Sequence, residues 1–343
     1  MDVLALKATA TQLFADDRGL LAMDESTPSC NRRFAVLGIA QTEEMRRAWR
    51  ELIVTTPGLA KSISGAILFD ETIRQSTTGG VPFIKVLEQA GIVPGIKVDL
   101  GAKDLAGFPG ETITEGLDGL RERFAEYARM GARFAKWRAV ITPGKDIPTA
   151  GCLDANAQAL ARYAALAQEA GIVPIVEPEV LMDGDETLDA CRAVTERTLQ
   201  AVFEQLHRQR VVLEGMILKP NMIAPGLACT PQVSVEAVAE ATVASLRRCV
   251  PAAVPGIAFL SGGQSDELAS ERLNAMSRLI NSAGAHAPWP LSFSYGRAVQ
   301  RKALETWRGD AAKVSAAQKA LYHRADCNRA ARRGEYSAAM ETA

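Results

Sequence analysis

Short apolar runs alternate along the chain with longer segments in which apolar residues recur at helical spacing. Runs of four to eight apolar residues between turn signals are typical of buried strands, whereas the i, i+3, i+4, i+7 spacing is typical of helices. Starts of successive runs lie roughly 40 residues apart, which is room for a strand, a helix and two loops. Eight strands are predicted, at residues 19–24, 65–70, 92–99, 134–140, 172–179, 213–221, 256–263 and 290–297.

Polar residues ahead of several helical segments predict where those helices begin. Thr112 and Glu115 form a Thr-x-x-Glu capping box, which predicts a helix start at that point. Ser234 is expected to cap an alanine-rich helix. Asp154 is expected to open another helix, which stops near Gly171.

Eight strand–helix units in one chain predict a closed parallel (β/α)8 barrel, the TIM-barrel architecture, which takes about 250 residues and more with insertions. An open doubly wound sheet is the alternative, and it usually carries a Gly-x-Gly-x-x-Gly turn after the first strand. Here the first strand is followed by DESTPS (24–29), without a glycine. We therefore expect a single domain over residues 1–343, with residues 310–343 forming a peripheral C-terminal helix and a short tail.

Charge and composition narrow the class of function. A net charge of −1 and a pI near 6.4 give no global basic field for nucleic acid or an anionic membrane. The N-terminus shows no basic segment followed by a long apolar one, so we expect a cytoplasmic protein without a signal peptide. The six cysteines form no Cys-x-x-Cys pair, and the three histidines are scattered, so a histidine-rich zinc centre is poorly supported, although carboxylates could still bind a metal.

Charged residues stand at the C-terminal ends of most predicted strands. Several come two residues apart, which puts both side chains on the same face of a strand. In a barrel that face can point into the mouth, the opening at the C-terminal strand ends where active sites are built. Salt bridges or solvated strand ends would explain one such pair, but acids and bases on most strands favour an active site. The charged residues are Asp24, Lys97, Asp99, Lys136, Arg138, Glu177, Glu179 and Lys219, and the uncharged polar residue Asn221 follows two positions after Lys219.

Lys219 is the most informative of them, because it directly follows the apolar residues of the sixth predicted strand, near the end of that strand. Removing an ammonium from water disfavours the charged form, so a neutral, nucleophilic amine becomes accessible. Such lysines attack carbonyls and form Schiff bases. For this lysine alone, an ordinary strand end that reaches solvent would be the better explanation.

Seven segments match one family in order and cover nearly the whole chain. They are LAMDEST (21–27), GIKVD (95–99), FAKWR (134–138), IVEPE (175–179), LKPNM (218–222), LSGGQS (260–265) and FSYGR (293–297). On these segments the chain resembles class I fructose-bisphosphate aldolase, the Schiff-base type. That family has the barrel fold that the strand pattern predicts.

The resemblance implies a lyase of glycolysis and gluconeogenesis that reversibly cleaves fructose 1,6-bisphosphate to dihydroxyacetone phosphate and glyceraldehyde 3-phosphate. Lys219 corresponds to the Schiff-base lysine, Glu177 to the proton donor for carbinolamine dehydration, and Asp24 to the carboxylate that handles the C4 hydroxyl proton. Lys136 and Glu179 are expected to assist these three residues in catalysis. The cationic imine stabilises the carbanion, so no cofactor or metal is needed. Family members are commonly homotetramers.

The resemblance also implies two phosphate sites. Loops seven and eight of such barrels often bind phosphate with a helix N-terminus, and glycines there permit close backbone approach. The site for the C1 phosphate is expected to use Ser261, Gly262, Gly263, Ser294, Gly296 and Arg297. The second phosphate is expected to meet Ser26, Arg33, Lys97 and Arg138.

Two departures from the family pattern keep alternatives open. Leu100 stands where many members carry a second lysine, and the seven residues after Tyr336 do not provide the usual terminal tyrosine. A transaldolase or keto-acid aldolase would need only one phosphate site. A non-enzymatic barrel used for binding is a third reading, and a metal-dependent aldolase is disfavoured by the scarce histidines.

Overall fold

The computed structural model of the chain describes residues 1–282 and 287–342. Eight of its strands close into a parallel barrel and two form a separate hairpin, which confirms the predicted (β/α)8 architecture. In chain order the strands of the described residues are β1 (Gly19–Ala22), β2 (Ile63–Leu68), β3 (Val93–Lys97), β4 (Ala102–Asp104), β5 (Thr112–Thr114), β6 (Phe134–Ile141), β7 (Val173–Val180), β8 (Ile217–Leu218), β9 (Ile257–Phe259) and β10 (Leu291–Tyr295).

Helices alternate with the barrel strands and surround them. No helix of the described residues is long and apolar enough to cross a membrane. The α-helices are α1 (Val3–Leu13), α2 (Thr27–Val36), α3 (Glu43–Val54), α4 (Asp70–Ile73), α5 (Phe83–Ala90), α6 (Leu120–Met130), α7 (Ala150–Glu169), α8 (Leu188–Arg208), α9 (Val235–Cys249), α10 (Asp266–Asn281), α11 (Arg297–Trp307) and α12 (Val314–Arg333).

Around the barrel the strands follow the order β1-β10-β9-β8-β7-β6-β3-β2, and β1 pairs with both β2 and β10. Every barrel pairing is parallel, so all the C-terminal strand ends meet at one opening. The antiparallel hairpin β4–β5 is inserted between β3 and α6. Outside the barrel, α12 packs against α10 and α11.

The capping-box prediction at Thr112 is wrong. Thr112 begins β5, and its hydroxyl donates to the Val140 carbonyl 2.9 Å away instead of capping a helix. The following helix, α6, begins at Leu120 after Gly119, which adopts φ 66°. Pairing with β4 therefore overrides the local capping signal.

The other two predicted helix starts have different outcomes. Ser234 does cap α9, because its hydroxyl accepts the Ala237 backbone N–H at 3.1 Å. Asp154 does not open α7, which begins four residues earlier at Ala150, where the Thr149 hydroxyl accepts the backbone N–H of Cys152. A threonine and an aspartate this close in sequence are both good N-caps, and the sequence pattern did not separate them.

The sixth barrel strand is much shorter than the predicted run of residues 213–221. Residues Leu213–Gly215 form a 3-10 turn, and β8 itself is only Ile217–Leu218. Lys219 still donates its backbone N–H to the Val176 carbonyl of β7 at 2.8 Å. Pro220 has no N–H to continue the ladder, so the strand ends there.

The N-terminal end of the barrel is closed by α1 and the residue after it. Leu6, Ala10, Leu13 and Phe14 belong to one buried apolar cluster with side chains from the barrel strands. Their approach needs glycines: a Cβ on Gly65 would lie 2.6 Å from Leu13, and one on Gly256 would lie 2.4 Å from the Phe14 ring. The strand residues of this cluster are Leu20, Ala22, Ile67, Val93, Phe134, Val173, Ile175, Ile217 and Ala258.

Candidate active site

The C-terminal strand ends surround a cavity of about 870 Å³. The sequence-predicted residues that do not line its wall are Glu177, Asn221 and Gly263, and Glu177 still contacts two lysines of the wall. A volume of this size suits a small organic ligand. The predicted residues on the wall are Asp24, Ser26, Arg33, Lys97, Asp99, Lys136, Arg138, Glu179, Lys219, Ser261, Gly262, Ser294, Gly296 and Arg297.

Lys219 lies one residue beyond β8 and is only 3% exposed. Its Nζ is 3.0 Å from Oε1 of Glu177, which projects from β7 and is equally buried. The backbone bond from Lys219 to Val176 fixes this lysine beside the strand that carries Glu177. A buried amine and a carboxyl group at this distance can exchange a proton directly.

Lys136 is a second buried lysine, and its environment is different. Its Nζ lies 2.7 Å from Asp24, 3.5 Å from Glu177 and 3.9 Å from Asp99. Burial by itself lowers the pKa of a lysine, but the carboxylates of Asp24, Glu177 and Asp99 raise the pKa of Lys136 well above its ordinary value. Lys136 is therefore a fixed cation.

Asp24 extends from the end of β1 toward the same cation. Burial raises the pKa of its carboxyl group, but Lys136, Lys219 and Lys97 outweigh that effect and lower the pKa to about 2. Asp24 does not cap α2, since the N-cap position belongs to Ser26. The carboxylate is thus ionised and held in place by Lys136.

The two glutamates of β7 have different partners. Glu177 contacts Lys219 and Lys136, whereas Glu179 accepts a hydrogen bond from the Arg138 guanidinium. Burial lowers the pKa of Arg138, but the Glu179 carboxylate outweighs it and raises that pKa above its ordinary value. The Glu177 carboxylate therefore pairs with the two lysines, and the Glu179 carboxylate holds Arg138 on the cavity wall.

Asp99 holds another cation, a role that the sequence reasoning missed. Its Oδ1 lies 2.6 Å from Nζ of Lys97 and also accepts the Gly101 backbone N–H at 3.1 Å. Oδ2 accepts the backbone N–H of Arg138 at 3.3 Å. The two-residue spacing between Lys97 and Asp99 was the available signal, because it predicts side chains on one face.

Arg33, expected at the second phosphate, is already engaged with protein groups. It forms an ion pair with Glu25 and lies 3.4 Å from the Gln300 side-chain oxygen. The adjacent Arg32 is exposed on the cavity wall and donates to the Ser29 hydroxyl at 2.9 Å. Arg32 is the more available cation of the two, and the sequence motif gave no reason to prefer it.

Two loops and two helix N-termini form a further part of the wall, next to β1. Ser261 and Gly262 follow β9, and Gly262 adopts φ 56° before α10 begins. Gly296 is the N-cap of α11, and Arg297 donates to the Gly262 carbonyl. The Ser294 hydroxyl is 1% exposed as a residue, lines the cavity and has no hydrogen-bond partner among the described residues. Such a hydroxyl is ready for a ligand atom.

Charge in the inner part of the cavity is balanced. Four carboxylates, Asp24, Asp99, Glu177 and Glu179, pair there with the four cations Lys97, Lys136, Arg138 and Lys219. Within the described residues, the wall arginines Arg32 and Arg297 have no carboxylate partner. The surplus positive charge therefore lies toward the rim, where it suits an anionic ligand.

A mixed cluster with spacing suited to a metal ion lies elsewhere, on α12 and the tail. His323, Cys327 and Glu341 place one ligand atom each within 4.8 Å of one another, and none of the three lines the cavity. Glu341 is already paired with Arg324 and accepts the Tyr336 hydroxyl. Its charge is therefore balanced by a protein cation.

Comparisons with known proteins agree with this geometry. A family model described as fructose-bisphosphate aldolase class-I matches residues 5–343. A Xanthomonas campestris protein named probable fructose-bisphosphate aldolase class 1 is 56% identical over 98% of this chain and 99% of its own. Arabidopsis thaliana fructose-bisphosphate aldolase 6, cytosolic, is 49% identical over 96% of this chain and 91% of its own. The structure of Plasmodium falciparum fructose-bisphosphate aldolase in complex with TRAP and a small-molecule inhibitor superposes with a TM-score of 0.95, at 45% identity over 97% of this chain and 95% of that one.

Proposed function

Because the chain belongs to the class I fructose-bisphosphate aldolase family, we propose that it cleaves fructose 1,6-bisphosphate through a Schiff base on Lys219. The observation that carries the proposal is the pair formed by buried Lys219 and buried Glu177, 3.0 Å apart beside a cavity rimmed with arginines. A fixed second cation, Lys136, touches both Glu177 and Asp24.

The first step is attack of the Lys219 amine on the C2 carbonyl of the substrate. The carbinolamine that forms must lose its hydroxyl group as water, and this needs a proton. Glu177 is within proton-transfer distance of Lys219, so it takes one proton from the Lys219 ammonium group and frees the amine for attack. When the carbinolamine forms, the attacking nitrogen passes a second proton to the C2 oxygen. Glu177 then donates its proton to the departing hydroxyl, which leaves as water. The product is a protonated imine.

Cleavage of the C3–C4 bond needs a base at the C4 hydroxyl group. Asp24 is ionised, with its pKa lowered to about 2, and it projects into the cavity from the end of β1. It accepts the hydroxyl proton while the bonding electrons move into the iminium group and form an enamine. Lys136 stabilises the carboxylates through this exchange without giving up its own proton.

The two phosphates account for the rest of the cavity. The C1 phosphate binds to Ser261, Gly262, Gly263, Ser294, Gly296 and Arg297. The second phosphate meets Ser26, Lys97, Arg138 and Arg33. Among the residues that the structure describes, the Ser294 hydroxyl has no hydrogen-bond partner and Arg297 has no carboxylate partner, and both observations support the first assignment. The availability of Arg32 beside Arg33 adds a further cation to the second site.

The cellular setting belongs to the same proposal. We assign the reaction to glycolysis and gluconeogenesis and the protein to the cytoplasm, which the names of cytosolic plant relatives support. We also expect a homotetramer, without nucleic acid, membrane or cofactor as partner. Residues 310–343 are then a peripheral helix and tail of a single-domain barrel.

Borohydride trapping tests the mechanism. Incubation with fructose 1,6-bisphosphate and sodium borohydride is expected to inactivate the protein and leave a reduced adduct on the peptide that contains Lys219. Lys219→Met should abolish the adduct. Lys97→Met is the matched control, because Lys97 lies on the same wall but is paired with Asp99 at 2.6 Å.

The control separates two explanations of a negative result. Lys97→Met should weaken substrate binding and still be trapped at saturating substrate. Trapping of Lys219→Met at the wild-type level would show that the Schiff base forms on another amine and that the assignment of Lys219 is wrong. Cleavage of single-phosphate ketoses in preference to the bisphosphate would favour another Schiff-base aldolase.

A further inference from the structure

Arg324, on α12, joins the beginnings of two neighbouring helices. Its side chain is 3% exposed. Nη2 donates to the Asp266 carbonyl in the first turn of α10 at 2.8 Å, and Nε donates to the Ala298 carbonyl in the first turn of α11 at 3.3 Å. Nη2 also donates to the Ser270 hydroxyl at 2.7 Å. One guanidinium group therefore connects both helices.

Both helices begin directly behind the loops that line the cavity. Ser261 and Gly262 precede α10, and Gly296 and Arg297 open α11. A ligand that contacts both loops requires the two helix N-termini at a fixed separation. Arg324 lies behind them and makes hydrogen bonds to each, so it is placed to set that separation.

The charge of Arg324 is balanced by the C-terminal tail. Glu341 forms an ion pair with Nη1 of Arg324, and the Tyr336 hydroxyl donates to the same carboxylate at 2.7 Å. Tyr336 is itself anchored, because its backbone N–H donates to the Asn274 side chain of α10 at 3.0 Å. A buried guanidinium without a counter-ion would be costly, so the tail stabilises the contacts that Arg324 makes.

We propose that Arg324 is a positioning residue for the C1-phosphate site, and that Glu341 acts through it. The proposal rests on the phosphate assignment under Proposed function. Neither residue touches the substrate. Arg324 holds the loops of β9 and β10 in register with each other, and Glu341 keeps its guanidinium oriented between α10 and α11.

The chemistry of the guanidinium group explains why arginine is needed. A guanidinium presents donors in a rigid, planar fork, so it can reach two carbonyls and a carboxylate at once. The ammonium of a lysine is a single point that cannot span both helices. Arg324→Lys therefore keeps the charge and loses the bridge.

The experiment compares steady-state kinetics of Arg324→Lys, Arg324→Met and Glu341→Gln with the wild-type full chain. The matched control is Arg332→Met, also on α12. Arg332 is 8% exposed and donates to the Phe14 and Arg18 carbonyls ahead of β1, at the other end of the barrel. Four readouts are needed: KM for fructose 1,6-bisphosphate, kcat, the inhibition constant of inorganic phosphate, and Tm.

Both Arg324 variants are expected to raise KM and the phosphate inhibition constant about tenfold, since a displacement below 1 Å is enough for such a loss. We expect kcat at saturation to be unchanged, because the loops bind the non-reacting phosphate. Glu341→Gln should give a smaller rise of about threefold in both constants. Arg332→Met should lower Tm and leave both constants at the wild-type level.

Two negative outcomes can be told apart. If Arg324→Lys and Arg324→Met lower Tm as Arg332→Met does but keep the wild-type KM and phosphate inhibition, Arg324 is only structural and the inference fails. If the wild-type protein does not cleave fructose 1,6-bisphosphate, the proposed function fails, and this inference fails with it.

Discussion

Two buried lysines lie within reach of the same glutamate, yet their surroundings differ. Lys136 is held by Asp24, Glu177 and Asp99, whereas in the described part of the chain Lys219 is paired with Glu177 alone. A lysine surrounded by three carboxylates is a poor nucleophile because its proton is strongly held. The different number of carboxylate partners therefore favours Lys219 as the nucleophile and Lys136 as the fixed cation.

The two glutamates of β7 should respond differently to the same substitution. Glu177→Gln keeps the shape of the side chain but removes the group that exchanges protons with Lys219, so we expect kcat to fall about 100-fold or more. Glu179→Gln releases Arg138 instead and should chiefly raise KM. Steady-state kinetics of both variants provide the check, and equal losses of kcat would contradict the assignment.

Asp24 predicts a specific pH dependence of stability. Its folded-state pKa of about 2 lies below the ordinary value of 3.8, so its contribution is present above pH 3.8 and is lost as the pH falls toward 2. The shift corresponds to about 2 kcal/mol at pH 6 and about half of that at pH 3. Urea unfolding of wild type and Asp24→Asn should show a gap that narrows over this range, and a gap that widens on acidification would be inconsistent with it.

Individual residues show where sequence reasoning was sufficient and where it was not. The period-two spacing was enough to predict that Lys136 and Glu177 reach the mouth from β6 and β7. It could not tell that Glu25 neutralises Arg33 while Arg32 remains available, because both arginines lie in one helix turn. The choice between them depends on which one meets Glu25 in three dimensions.

Among the structural elements, the turn between β9 and α10 requires a glycine in its backbone. Gly262 adopts φ 56°, a conformation that side chains disfavour, and a Cβ there would lie 2.7 Å from the Met182 methyl group. The carbonyl of Gly262 also accepts a hydrogen bond from the Arg297 guanidinium group. The turn after β9 is therefore bonded to the turn after β10, and both turns belong to the proposed C1-phosphate site.

Gly262→Ala should therefore raise KM as well as reduce stability. Strain at the positive φ is expected to cost about 1 kcal/mol of unfolding free energy. The control is Gly91→Ala, where φ is 78° and, among the described residues other than its chain neighbours, no atom lies within 4 Å of the added Cβ. Gly91→Ala should lose similar stability and keep the wild-type KM. Unchanged KM in Gly262→Ala would mean that the turn tolerates displacement without loss of binding.

The elements were predictable to the extent that hydrophobic periodicity controls them. All eight barrel strands overlap their predicted runs, although β8 keeps only Ile217–Leu218 of residues 213–221. The hairpin β4–β5 and the helix start at Leu120 were not predicted, because Thr112 and Glu115 satisfy a helix-capping pattern whose outcome is decided by strand pairing. Local signals fail where a non-local partner competes for the same backbone.

For the molecule as a whole, the distribution of charge predicts how binding responds to salt. The inner acids and bases balance each other, and the surplus is carried by Arg32 and Arg297 near the rim. Exposed charges are screened by salt more strongly than buried pairs. The attraction for a bisphosphate should therefore depend on ionic strength.

We expect KM for fructose 1,6-bisphosphate to rise about threefold between roughly 0.02 and 0.3 M sodium chloride, because the Debye length shortens over this range. Arg32→Gln should start from a higher KM and show a weaker salt dependence, while kcat stays similar. A salt dependence equal to that of the wild type would show that Arg32 does not contribute to substrate attraction. The measurement is initial velocity at several salt concentrations.

The closure of the barrel by α1 and Phe14 makes the cavity a dead end. Apolar side chains fill the barrel below Lys219, so within the described chain the mouth is both entrance and exit. Two products formed in such a pocket must leave through one opening, one after the other. In the proposed mechanism the fragment that is not covalently attached leaves first, while the fragment bound to Lys219 waits until its imine is hydrolysed. The order in which the products leave therefore follows from the closed N-terminal end of the barrel together with the proposed covalent bond to Lys219.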